Sequence, residues 1–222
     1  MSFGIISEGI TDHVIIKNIL YGFFKDTDLE INELHPKDRK KPYGWTKVIE
    51  YCKTSEFKDA FDWNDYIVIQ IDTDTKQDWG YSDIPNTRKG DKKSIENLIN
   101  KVVEIFTEII GMDFYKKHQD RIIFAVAVHS IECWMLPFYA VSPSHVSKID
   151  NCLDTLNSQY LSKKGFTIDP KAKGYDDNRF YEKAAQPLKK NKELLKNGKK
   201  NPSLNVFLNK LSILQIQLIK IA

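Results

Sequence analysis

At 222 residues the chain is long enough to bury one sizeable core, and 41% hydrophobic with 28% charged residues excludes a disordered or fibrous polypeptide. No segment approaches the roughly 18 uninterrupted apolar residues of a membrane span, and no basic run precedes the first apolar stretch, so a cytoplasmic location without membrane contact is expected. A net charge of +3 is too small to name a partner by itself, although lysines gather in the runs 37–41, 89–93, 171–173 and 189–200.

Phe3 to Ser7 is a short apolar run that stops at Glu8-Gly9, after which Val14, Ile15, Ile19, Leu20 and Phe23 recur at helical spacing. This predicts strand, turn, helix. Thr11 is the expected N-cap, and Asp12 suits the positive end of the helix dipole. Leu29 to Leu34 alternates apolar and polar residues like an edge strand, and Trp45, Val48, Ile49 and Cys52 predict a short helix. Tyr66 to Ile71 is a β-branched run of the kind that fills a central parallel strand, and it ends in Asp72-Thr73-Asp74. An amphipathic helix is expected over 94–110, a further buried strand over 122–128, and a helical turn from His129 to Trp134. The resulting βαβαβαβ order predicts an α/β fold with a mainly parallel, Rossmann-like sheet covered by helices on both faces. Residues 1–140 would form that domain, and 141–222 a helical C-terminal subdomain packed on it, with Ile168 to Tyr175 as a loop over the site.

Cys52, Cys133 and Cys152 are odd in number, far apart and without a CxxC pair, so buried thiols are expected in place of a disulfide or a zinc site. The histidines show no HxxH or HExxH spacing. Carboxylates offer more. In a parallel α/β sheet the carboxyl ends of the strands share one rim, which gathers Glu8 with Asp72 and Asp74. Residues two apart on an extended backbone point the same way, so the two aspartates would chelate one ion while Glu8 approaches from the next strand. An all-carboxylate set suits Mg2+ or Mn2+. Taken singly, each acid also reads as a turn or cap residue.

These segments resemble a known family. Ile6-Ser7-Glu8-Gly9-Ile10-Thr11-Asp12 looks like the glutamate motif of TOPRIM domains, and Ile71-Asp72-Thr73-Asp74 looks like their DxD motif. Ile131-Glu132-Cys133-Trp134 and the closing Asn201 to Leu208 are similar to small stand-alone bacterial TOPRIM-like proteins, related to OLD-type nucleases and often tied to mobile elements or phage defence. The resemblance implies Glu8 as general base or metal ligand, Asp72 and Asp74 as ligands, and Glu132 as a further ligand. It also implies either a metal-dependent nuclease acting on DNA or RNA, or a non-catalytic effector subunit working through a partner such as an ATPase. The family's glycine-rich continuation is reduced here to Gly9, and its further acidic residue is matched only approximately by Asp78.

Other candidates carry two readings each. Glu132 is a ligand or a helix-start residue, and His129 contacts phosphate or is a hydrogen-bonded structural histidine. Trp134, Phe138 and Tyr139 stack bases or fill the core. Lys171 and Lys173 neutralise a phosphorane, with Lys173 in the catalytic set, or lie on a solvated loop.

Overall fold

The computed structural model describes residues 1–37, 44–79, 91–169 and 178–221, with side chains to 217. Four strands form one sheet: β1 (Ser2–Ile6), β2 (Glu30–His35), β3 (Tyr66–Asp72) and β4 (Ile122–Ala127). Their order is β2-β1-β3-β4, and every pairing is parallel. The α/β class and the four strand positions expected from periodicity are both present, with the alternating strand β2 at a sheet edge. The alternation has a direct cause, since β2 is the strand whose residues remain mostly half-buried or exposed while β1 is buried throughout.

Helix α1 (Ile10–Phe24) connects β1 to β2; α2 (Trp45–Cys52) and α3 (Ser55–Asp59) precede β3; α4 (Lys92–Ile110) and α5 (Met112–His118) connect β3 to β4. After β4 come 3-10 turns over Ile131–Trp134 and Leu136–Phe138, then α6 (Pro143–Val146), α7 (Cys152–Leu156), α8 (Asn178–Ala185), α9 (Asn191–Asn197) and α10 (Pro202–Ile221). Among the described residues no helix is long and apolar enough to cross a membrane.

Side chains alternate across each strand and divide the core in two. Phe3, Ile5, Val68, Ala125 and Ala127 face α1 and the C-terminal helices, with Tyr181, Leu188, Leu194, Leu204 and Phe207 in the same continuous cluster. Ile6, Ile67, Ile69, Ile71 and Val126 face α2 to α5. The C-terminal helices therefore share their core with the α1 face of the sheet. Contact there is close: a Cβ on Gly22 would lie 2.0 Å from the carbonyl oxygen of Leu188, so only glycine lets α1 approach the chain ahead of α9.

Two expectations are corrected. Gly9, not Thr11, is the N-cap of α1; its backbone is extended and no side chain caps the helix. The helix starts early because the Gly9 carbonyl already accepts from the Asp12 and His13 N–H groups, at 3.2 and 3.4 Å, and the Ser7 hydroxyl donates to the same oxygen at 2.7 Å. Cys133 and Cys152 form a disulfide with Cα atoms 5.0 Å apart, and Cys52 alone is a buried free thiol. Their sequence separation of 19 concealed the pairing, because the chain after Phe138 turns back and lays α7 against the 131–134 turn.

Candidate active site

The α1 face of β3 carries Tyr66, Val68, Gln70 and Asp72 by strict alternation, and the last two are polar. Gln70 is fully buried and holds the rim together. Its carbonyl oxygen accepts from the Glu8 N–H at 3.2 Å, and its amide donates to Asp72 Oδ1 at 2.8 Å. The Glu8 carboxylate closes the circuit by accepting from the Asp72 N–H at 2.8 Å, while the Glu8 carbonyl accepts from Gly44 at 2.8 Å. Glu8 and Asp72, 64 residues apart, are thus locked by bonds between adjacent strands.

Asp74 reaches the same pocket by a different route from the one expected. The strand ends at Asp72, and the N–H groups of Thr73 and Asp74 both turn to the His129 carbonyl, at 2.9 and 3.1 Å. The extended alternation that would align the two aspartates is broken at Thr73. His129 is the fulcrum: its backbone is left-handed (φ 62°) and its N–H donates to Thr73 Oγ1 at 2.9 Å. Its main chain therefore has a structural role, and it does not line the pocket.

Glu132 is held by the 3-10 turn after β4 and accepts from the Tyr181 hydroxyl of α8 at 2.8 Å. The turn is anchored from the far end of the chain. Trp134 Nε1 donates to Ser203 Oγ at 2.8 Å, Ser203 donates to Asn201 Oδ1 at 3.0 Å, and the Asn201 amide donates to the Cys133 carbonyl at 3.2 Å. Asn201 also caps α10 by accepting from Leu204 N–H at 3.0 Å. The two sequence motifs around Glu132 and Asn201 are one hydrogen-bonded unit. Trp134 is fully buried and stacks on Phe207 with centroids 5.4 Å apart, so it is core and not a base platform.

Glu8, Asp72, Asp74 and Glu132 line a single cavity of about 260 Å³, together with Gly9, Thr11, Gly44, Trp45 and Tyr181. Two further lining residues escaped the sequence reading. Asp12, assigned there to the helix dipole, is buried at the pocket, and Thr75 places a buried hydroxyl there that has no hydrogen-bond partner among the described residues. The position of Asp12 in the first turn, directly after Glu8-Gly9, was the available signal for it. Lys171 and Lys173 lie outside the described residues.

The carboxyl of Asp72 is pushed well above its ordinary range, first by burial and then by the negative charge of Glu8, Asp12, Glu132 and Asp74. Five carboxylates therefore share one electrostatic neighbourhood. Their oxygens and the orphaned Thr75 hydroxyl fit a hard dication in donor chemistry. Among the described residues, however, no group of three or more His, Cys, Asp and Glu side chains stands in a metal-holding arrangement. One oxygen each of Glu8 and Asp72 is already engaged by the Asp72 N–H and the Gln70 amide. No protein-family model, curated protein or solved structure matches this chain.

Proposed function

We propose that the chain is a Mg2+- or Mn2+-dependent nuclease that cleaves phosphodiester bonds of DNA or RNA. The observation that carries this reading is the convergence of five carboxylates on one pocket at the carboxyl rim of a parallel sheet, where burial and then the charge of the other four raise the pKa of Asp72. Burial and the neighbouring negative charge together raise the cost of charging Asp72. Glu8, Asp72, Asp74 and Glu132 would hold the ion. When bound, a dication polarises the scissile phosphate and lowers the pKa of an attacking water.

The chain's own residues set the stage for this. Gln70 and the Asp72 N–H fix Glu8 and Asp72 relative to one another, and Tyr181 orients Glu132. Glu8 is the candidate to accept a proton from water. The likeness of 6–12 and 71–74 to TOPRIM motifs supports the reading, as does that family's place in mobile-element and phage-defence proteins.

A second reading is a non-catalytic TOPRIM-like effector acting through a partner such as an ATPase. The absence of a metal-holding arrangement among the described residues favours it. Incubation of labelled single- and double-stranded DNA and RNA with each metal separates the two. The nuclease reading expects cleavage that EDTA stops and that Asp72→Asn with Asp74→Asn abolishes; no cleavage of any substrate with either metal selects the effector.

A further inference from the structure

A second concavity, of about 840 Å³, opens in the C-terminal helical layer and has the opposite character to the acidic pocket. Its apolar wall combines the aromatic Phe138, Tyr139, Tyr160 and Phe166 with Val141 and Pro187. Two of these rings are held by their own hydroxyls, since Tyr139 donates to the Ala184 carbonyl at 2.7 Å and Tyr160 bonds His145 Nδ1 at 2.8 Å. Four lysines, Lys163, Lys164, Lys183 and Lys190, stand around the wall. Lys164 and Lys183 lie over the Tyr139 and Phe166 rings, with Nζ 5.7 and 4.2 Å from the centroids. Among the described residues Lys163, Lys164 and Lys183 make no ion pair, and the one acid lining the cleft, Glu193, is engaged by Lys190 at 3.2 Å.

We propose that this cleft binds an unpaired nucleic-acid strand. Cations that lack carboxylate partners attract phosphates, and aromatic faces stack bases of any identity. Inorganic phosphate would use the lysines and leave the rings idle. A duplex would present its phosphates but keep its bases inside. A single strand satisfies both halves of the surface.

The position of the cleft connects it to the acidic pocket. Helix α8 contributes Tyr181 to the pocket and Lys183, two residues on, to the cleft, while the segment carrying Glu132 runs on into Phe138 and Tyr139. The inference rests on the nuclease reading only for the purpose the strand serves. The cleft's own chemistry names the ligand.

The test is fluorescence anisotropy in EDTA, with a labelled oligonucleotide of about 16 nucleotides and the duplex of the same sequence as probes. The full chain should bind the single strand more tightly than the duplex, with affinity falling as salt rises. Lys163→Gln, Lys164→Gln and Lys183→Gln together should weaken strand binding at least about tenfold and flatten the salt dependence by about 0.7 of a log–log slope unit for each phosphate left without its lysine. Phe138→Leu should weaken it several-fold, and Asp72→Asn with Asp74→Asn should leave it intact. If the triple variant does not melt cooperatively, each single lysine variant should still lower the slope by about 0.7. Wild-type affinity in the folded lysine variants, equal affinity for duplex, or displacement of the strand by inorganic phosphate, a phosphopeptide or anionic vesicles at matched phosphate concentration would overturn the proposal. Strand binding without cleavage in any metal removes the nuclease reading and leaves the cleft standing; cleavage with unchanged binding in the lysine variants does the reverse.

Discussion

Two carboxylates on the same sheet receive opposite treatment. Glu33, on edge strand β2, lies 3.5 Å from His13 Nδ1 and 3.1 Å from Lys17 Nζ, and these partners hold its carboxyl down at about 2 against partial burial. Asp72, at the end of the inner strand β3, is pushed up by burial and by four neighbouring acids. Edge placement gives Glu33 two partner side chains of α1, Lys17 and His13, at a sequence separation that a helix supplies without effort. The rim surrounds Asp72 with backbone, the Gln70 amide and further negative charge. The first arrangement stabilises the fold; the second costs stability, and such costs are kept where a ligand supplies the compensating charge.

The contrast is sharpest at the anchor of the rim. Ser203→Ala strands the buried indole N–H of Trp134 and frees the turn that carries Glu132, so a loss of about 1–3 kcal/mol in denaturant unfolding is expected, with lost activity out of proportion to it. A loss within error would show that the motif around Asn201 does not hold the site.

The two carboxylates should also give opposite pH signatures in the metal-free protein. Glu33 is lowered from 4.5 to about 2, so its contribution is present above the unfolded value and is lost as pH falls toward about 2. Asp72 is raised, so the folded state binds its proton more tightly than the unfolded chain; stability falls as pH rises through the interval between the two values. Asp72→Asn should remove that falling limb and raise the apo melting temperature at neutral pH, while keeping an oxygen for the Gln70 amide. An unchanged limb in the variant would assign it to another group.

Glu33→Gln should have the smallest effect. The carboxylate is 38% exposed and screened, which discounts its low pKa to a stability change of about 1 kcal/mol or less. A larger loss would mean that the buried His13, which also contacts the His35 carbonyl at 2.8 Å, depends on Glu33 for its orientation.

The same division governs what was legible in the sequence. The runs that became β1, β3 and β4 are β-branched and buried, so their period survives in the sequence, and the acids that follow Ile6 and Ile71 sit at strand ends by the geometry of a parallel sheet alone. Asp12 was hidden because its place in the first turn of α1 has an ordinary electrostatic explanation. The turn at Thr73 was not legible because it is held by His129, 56 residues away in sequence, whose carbonyl accepts from the Thr73 and Asp74 N–H groups and whose own N–H donates to the Thr73 hydroxyl. The Cys133–Cys152 disulfide and the aromatic cleft depend on how short helices pack after residue 141, and no local pattern encodes that packing.

The claim that the rim is a dication site is tested most directly by thermal melting of the wild type and the Asp72→Asn/Asp74→Asn variant, each with and without Mn2+. Ligand binding to the folded state alone stabilises by roughly 2.7 kcal/mol at a hundred times the dissociation constant. The account predicts that Mn2+ raises the wild-type melting temperature and leaves the variant unmoved, and that the metal-free variant melts at or above the metal-free wild type. Equal metal-induced stabilisation of both proteins would contradict it and remove these aspartates from the site.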